Sequence, residues 1–139
     1  MSSEKLYSEI IQEFEKAETK QERIAVLRKY DHPRFRDFLF YALNTKIHFD
    51  VEVPQYRPAE EPAGLNYTYL DIEMTKIYRF IKDHPKRPSG LTSQRQKQLL
   101  LVILESLHKD EAEIMAQLVQ KKFKVNHLTM KLVQEAYGI

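Results

Sequence analysis

Apolar positions recur along most of this chain with helical spacing. Leu6, Ile10 and Phe14 repeat every four residues, with Tyr7 and Ile11 beside them and Glu4, Glu9, Glu13 and Glu15 outward. That pattern predicts a first helix over residues 3–17. Thr19-Lys-Gln-Glu22 has the form of a capping box and opens a second helix to about Tyr30, with Ile24, Val26 and Leu27 inward. Asp31 can cap a third helix and Pro33 fits its first turn. In it Phe35, Phe38, Leu39 and Ala42 follow i, i+3, i+4, i+7, ending near Asn44. The period then changes to two: Ile47, Phe49, Val51 and Val53 alternate with His48, Asp50 and Glu52, which predicts a short extended segment stopped by Pro54. Residues 54–66 hold three prolines and little periodicity, so about 47–67 is read as one long irregular loop.

Thr68 with Asp71 starts a fourth helix whose inner face is Leu70, Met74, Ile77 and Ile81, and the stretch His84–Gly90 ends it. The next stretch organises the whole. Leu99 to Leu104 are six consecutive apolar residues, enough to cover every side of a helix. Gln94 to Gln98 are good helix formers, and Ser93 with Gln96 resembles a capping box. The expectation is a buried central helix at about 93–107 surrounded by the others. Asp110 with Glu113 caps a sixth helix, with Ile114 and Leu118 inward. Asn126 caps a seventh, with Leu128, Leu132, Val133 and Ala136 inward and Gly138 just past its end. The sum is a single all-α domain of six or seven helices.

Composition narrows the function classes. The chain has 139 residues, 42% apolar and 30% charged, as in globular domains. Net charge is only +2, so any nucleic-acid site must come from clustering rather than from the total. There is no Cys, which excludes a disulfide, a thiolate nucleophile and a Cys-based zinc site. The longest apolar run, six residues, is far short of a membrane span. Glu4, Lys5 and Glu9 stand where a signal peptide would be apolar, so a cytoplasmic location is expected.

Candidate chemistry is sparse. Gly64, Gly90 and Gly138 are too far apart for a phosphate-cradling glycine loop. His32, His48, His84, His108 and His127 contain no pair at i, i+4, and read as surface or cap residues rather than metal ligands. Glu60, Glu61, Glu111 and Glu113 read as solvated or capping carboxylates rather than acid–base pairs. No catalytic residue, metal site or cofactor is expected. The bases do cluster. Lys82, Lys86, Arg87, Arg95 and Lys97 face a single Asp83, and Lys121, Lys122, Lys124 and Lys131 have no acid among them. The second group enters the helix that follows Asn126, where free backbone N–H groups favour phosphate.

Two resemblances follow. Glu105-Ser-Leu-His-Lys-Asp-Glu-Ala-Glu113, Lys121-Lys122, Leu128-Thr-Met-Lys-Leu-Val-Gln-Glu-Ala-Tyr-Gly138 and Thr19-Lys-Gln-Glu-Arg-Ile-Ala-Val-Leu27 resemble an uncharacterised family of small tailed-phage proteins. More remotely, the chain is similar to the all-helical N-terminal DNA-binding domain of ATP-dependent DNA ligases. The similarity lies in the lysine-containing capping segment, in Phe35-Arg-Asp-Phe-Leu-Phe-Tyr-Ala-Leu-Asn-Thr-Lys-Ile-His-Phe49, and in Thr129-Met-Lys-Leu-Val133 before a terminal glycine. Where ligases have a small Cys-Gly type turn, this chain has Lys122-Phe-Lys124. No glycine here follows an Asp, so the Lys-x-Asp-Gly motif of ligase catalysis is missing and the chain is not expected to be a ligase.

The ligase resemblance implies a sequence-independent grip on the sugar–phosphate backbone of duplex DNA, and the tailed-phage resemblance places it in the cytoplasm of an infected bacterium. Lys121, Lys122, Lys124, Asn126, His127, Thr129 and Lys131 would carry that grip, with Lys86, Arg87, Arg95 and Lys97 extending it. The alternative is an interaction module of the same fold that binds a host or viral replication or transcription protein.

Overall fold

The fold is built outward from aromatic side chains. Phe35 and Phe38, one turn apart on one helix, are fully buried, and Tyr7 and Phe123 close on them from two other parts of the chain. The computed structural model describes residues 5–139. Among these are seven α-helices: α1 (Tyr7–Lys16), α2 (Lys20–Lys29), α3 (Pro33–Leu43), α4 (Leu70–Glu73), α5 (Ser93–Ser106), α6 (Lys109–Val119) and α7 (Met130–Tyr137). The protein is all-α. A tighter 3-10 stretch, Met74–Phe80, continues α4. The alternating segment is extended as expected, with His48, Asp50 and Glu52 exposed and Ile47, Phe49, Val51 and Val53 half-buried. It makes one antiparallel bridge, Phe49 to Ile81, and no strand forms among the described residues.

Helix α6 is the hub, packing against α1, α3, α4 and α5, while α2 and α7 pair along the opposite edge. This corrects the expectation for the six-residue apolar run. In α5, Leu100 and Leu104 are fully buried, but Val102 is 64% exposed and Leu99 and Leu101 only half-buried. The helix is therefore two-sided, with Gln96, Leu100, Ile103 and Leu104 on the inner face.

Most helices begin a residue or more from the expected cap. Helix α5 is capped by Thr92, whose hydroxyl accepts from Arg95 N–H, and not by Ser93. Helix α3 is capped by the His32 imidazole, because Asp31 is engaged by Arg36. His108 caps α6 instead of Asp110, and Thr129 caps α7 instead of Asn126. Thr68 with Asp71 does not cap α4: the helix follows Tyr69, which supplies no side-chain cap, the Thr68 hydroxyl donates to Glu73, and Asp71 accepts from Tyr7 and Arg34. The expected start of α1 at residue 3 lies outside the described residues; Leu6 is extended, so α1 begins at Tyr7.

Candidate nucleic-acid interface

The link between α6 and α7 is shaped by what must be buried in it. After α6 the chain turns at Lys121, which sits in the left-handed region at φ 56°. From there it leaves regular structure and its exposure alternates as in an extended chain, with Phe123 and Val125 buried and Lys122, Lys124 and Asn126 exposed. Alternate residues of an extended chain point to opposite sides. The Phe123 ring meets Phe38 edge-on at 5.2 Å, so burying that ring drives its two lysine neighbours outward together. A second left-handed residue, His127 at φ 69°, turns the chain into Thr129, the cap of α7. Lys131, in the first turn of α7, is exposed.

One member of this group does something else. Lys121 Nζ donates to the Tyr41 and Asn44 carbonyls at 2.7 and 2.8 Å. These lie at the C-terminal end of α3, where a cation suits the helix dipole. Burial pushes its ammonium below the usual lysine range. Lys121 is thus an anchor for the ribbon, and the ribbon's exposed cations are Lys122 and Lys124.

The other basic cluster is partly neutralised. Arg87 Nη1 lies 2.6 Å from Asp50 Oδ1, and Lys97 Nζ lies 2.6 Å from Glu52 Oε1. The segment 47–53 therefore brings acids against these bases, and among the described residues only Lys86 and Arg95 of the four candidates are exposed without a carboxylate partner. Lys97 borders a cleft with Asp50 and Glu52, whereas His127, Thr129 and Lys131 border a separate notch of about 280 Å³ with Lys20, Arg23 and Glu135. Lys20 and Arg23 belong to the capping segment of α2 and lie too far along the chain from Lys131 for the sequence to group them with it.

Glu111, expected to be a solvated or capping carboxylate, is instead the centre of a buried polar junction. The Glu111 side chain is nearly fully buried, and its carboxylate accepts the backbone N–H of Tyr7 at 2.9 Å and of Leu70 at 3.1 Å. It thereby joins the first residues of α1 and α4 to α6. Burial pushes its carboxyl above the usual range, partly offset by those two N–H bonds. Beside it, Asp71 accepts from the Tyr7 hydroxyl at 2.7 Å and from Arg34 at 2.8 and 3.0 Å. Burial alone would raise the Asp71 carboxyl, but the Arg34 and Tyr7 hydrogen bonds hold it below its ordinary value. The junction residues line a cleft of about 460 Å³ that the half-exposed Ile72 also borders. A sequence signal for Glu111 did exist: it stands at i, i+3, i+4, i+7 with Ile114, Met115 and Leu118, all buried.

Among the described residues no group of three His, Asp or Glu is placed to hold a metal ion. No helix among them is long and apolar enough to cross a membrane. No curated protein and no solved structure matches the chain. A family model does match it across residues 10–125, from the middle of α1 to the lysine ribbon, and the chain belongs to that family, a family of unknown function (DUF6433).

Proposed function

We propose that the protein is a non-enzymatic DNA-binding accessory that holds the sugar–phosphate backbone of a duplex without reading its sequence. The observation that carries this is the ribbon: Lys122 and Lys124 projected to one side by the burial of Phe123 and Val125, leading directly into the first turn of α7. Flexible ammonium groups suit phosphates as point charges and carry no base-reading geometry. Asn126, His127 and Lys131 stand exposed at the same turn. The interface is narrower than the sequence implies, since Lys121, Arg87 and Lys97 have structural partners and the Thr129 hydroxyl serves as a cap. Lys86 and Arg95 would add a peripheral contact. The resemblance to tailed-phage proteins supports a setting in the cytoplasm of an infected bacterium.

The test is fluorescence anisotropy on nicked and intact duplexes over a range of salt. Binding should weaken with salt by a slope near −0.9 per phosphate neutralised. Lys122→Ala with Lys124→Ala should weaken all duplexes alike and flatten that slope by about two units. No binding at about 50 mM salt, where electrostatic contacts are strongest, would overturn the reading.

A second reading has its own observation. Ile72, which lines the 460 Å³ cleft, is 50% exposed, and Leu65 and Tyr67, in the segment that leads into α4, are 71% and 89% exposed. Exposed apolar groups near one another along the chain are what a protein-binding module presents. A partner that co-purifies equally with and without nuclease, and is lost on Tyr67→Ala, would favour it.

A further inference from the structure

The notch between α2 and α7 lies beyond the ribbon and draws on a helix to which the sequence assigns no role. We propose that it seats one backbone phosphate of the duplex, and that Glu135 sets the affinity by competing for Lys20. This rests on the DNA reading above and extends it to a second element. Helices α2 and α7 are fixed side by side, with Arg28 Nε donating to the Ala136 carbonyl at 2.8 Å. Between them they leave a gap of about 280 Å³ bordered by Lys20, Arg23, Lys131 and Glu135. Three cations from two packed helices surround one small opening, with His127 and Thr129 at its rim. Among the described residues Glu135 is the only carboxylate bordering the gap, and it lies 3.0 Å from Lys20.

That pair is open to water, its side chains 59% and 46% exposed, so it exchanges readily and contributes little to stability. A phosphate entering the gap meets Lys131 and Arg23, whose guanidinium makes a long 3.4 Å bond to the Glu18 carbonyl and keeps other donors, but must take Lys20 from Glu135. The carboxylate also stands one turn from Lys131 on the same helix face, where it repels an incoming anion. Glu135 therefore lowers the grip on DNA while leaving the fold alone.

The experiment is salt-dependent anisotropy on Glu135→Gln, Lys20→Ala, Arg23→Ala and Lys131→Ala, with Lys122→Ala/Lys124→Ala as the ribbon control. Glu135→Gln should tighten binding roughly three- to tenfold and steepen the salt slope by about one unit as Lys20 becomes available. Lys20→Ala should weaken the Glu135→Gln protein more than the parent, a coupling that a double-mutant cycle reads directly. Arg23→Ala and Lys131→Ala should each flatten the slope by about one unit. Inorganic phosphate at matched ionic strength should not displace the duplex, because it lacks the ribbon contacts. If the ribbon control loses affinity while Glu135→Gln, Arg23→Ala and Lys131→Ala bind like the parent, the notch is overturned and the DNA reading stands. Competition by inorganic phosphate would make the notch a free-phosphate site and overturn its assignment to DNA. A parent that binds no duplex overturns both.

Discussion

The junction around Glu111 and the ribbon around Lys122 are built from the same kind of residue and use it in opposite ways. At the junction, Glu111, Asp71, Arg34 and Tyr7 turn inward and satisfy one another or the backbone. At the ribbon, Phe123 and Val125 turn inward and leave Lys122 and Lys124 in water. A buried carboxylate is tolerated only if its lone pairs meet donors, so the junction is committed to holding three helices together. An exposed lysine satisfies no partner in the fold and remains available to an outside anion. Lys121 marks the border, a base of the ribbon stretch used in the manner of the junction.

The largest expected effect is at the junction. Glu111→Ala leaves two buried N–H groups without acceptors, each costing about 1–3 kcal/mol, so chemical denaturation should show a loss of about 2–6 kcal/mol. Glu111→Gln keeps one acceptor and should lose about half as much. A loss under about 1 kcal/mol for the alanine variant would mean the helices are held by apolar packing alone.

Next comes α5, where the prediction separates two faces of one helix. Leu104→Ala, at a fully buried position, should cost about 2–5 kcal/mol, whereas Val102→Ala on the outer face should stay within about 0.5 kcal/mol. Leu101→Ala should fall between. Equal losses at Val102 and Leu104 would restore the enclosed helix that the apolar run suggests.

That case shows what the sequence makes legible. Helical period located most of the elements, and the alternation at 47–53 located the extended segment, because side-chain direction follows directly from backbone geometry. A run of six apolar residues has no period, so its outer face could not be read. The caps are not legible where several capping residues stand within a turn of one another, as at Thr92 and Ser93, His108 and Asp110, or Asn126 and Thr129. Which one caps depends on where the incoming chain leaves its extended conformation, and tertiary contacts set that. Asp31 lost its cap to Arg36, a competitor five residues away. The ribbon lysines were legible as a cluster, but Lys121 was not distinguishable from its neighbours until the end of α3 came to lie against it. Gln96 and Glu111 show the commonest trap: polar residues on an apolar face, in phase with Leu100 and Leu104 or with Ile114 and Leu118.

Acid titration distinguishes the junction's two carboxylates. Asp71 has a folded pKa below its ordinary 3.8, so its contribution is present above that value and is lost as pH falls through the folded pKa. Glu111 has a folded pKa above 4.5, so its ionisation lowers stability as pH rises from there through the folded value. Asp71→Asn should therefore flatten the fall of the melting temperature at the acid end, and Glu111→Gln should remove a decline on its neutral side. A parent and an Asp71→Asn variant with identical acid limbs would mean that Arg34 and Tyr7 do not stabilise the ionised carboxylate.

The smallest stability effects belong at the border, and they sharpen the contrast most. Lys121→Met removes a charged donor from two carbonyls that end α3, but the side chain is only partly buried, so the loss should be about 1 kcal/mol. Its effect on DNA should appear as weaker affinity with an unchanged salt slope, because the residue positions the ribbon and neutralises no phosphate. Lys121→Arg should recover part of that affinity by reaching the same carbonyls. Lys122→Ala should do the reverse, with an unchanged melting temperature and a slope flatter by about one unit. If Lys121→Met flattens the slope as Lys122→Ala does, then Lys121 leaves α3 to meet the duplex, and the line between anchoring and binding lysines falls one residue earlier than the structure draws it.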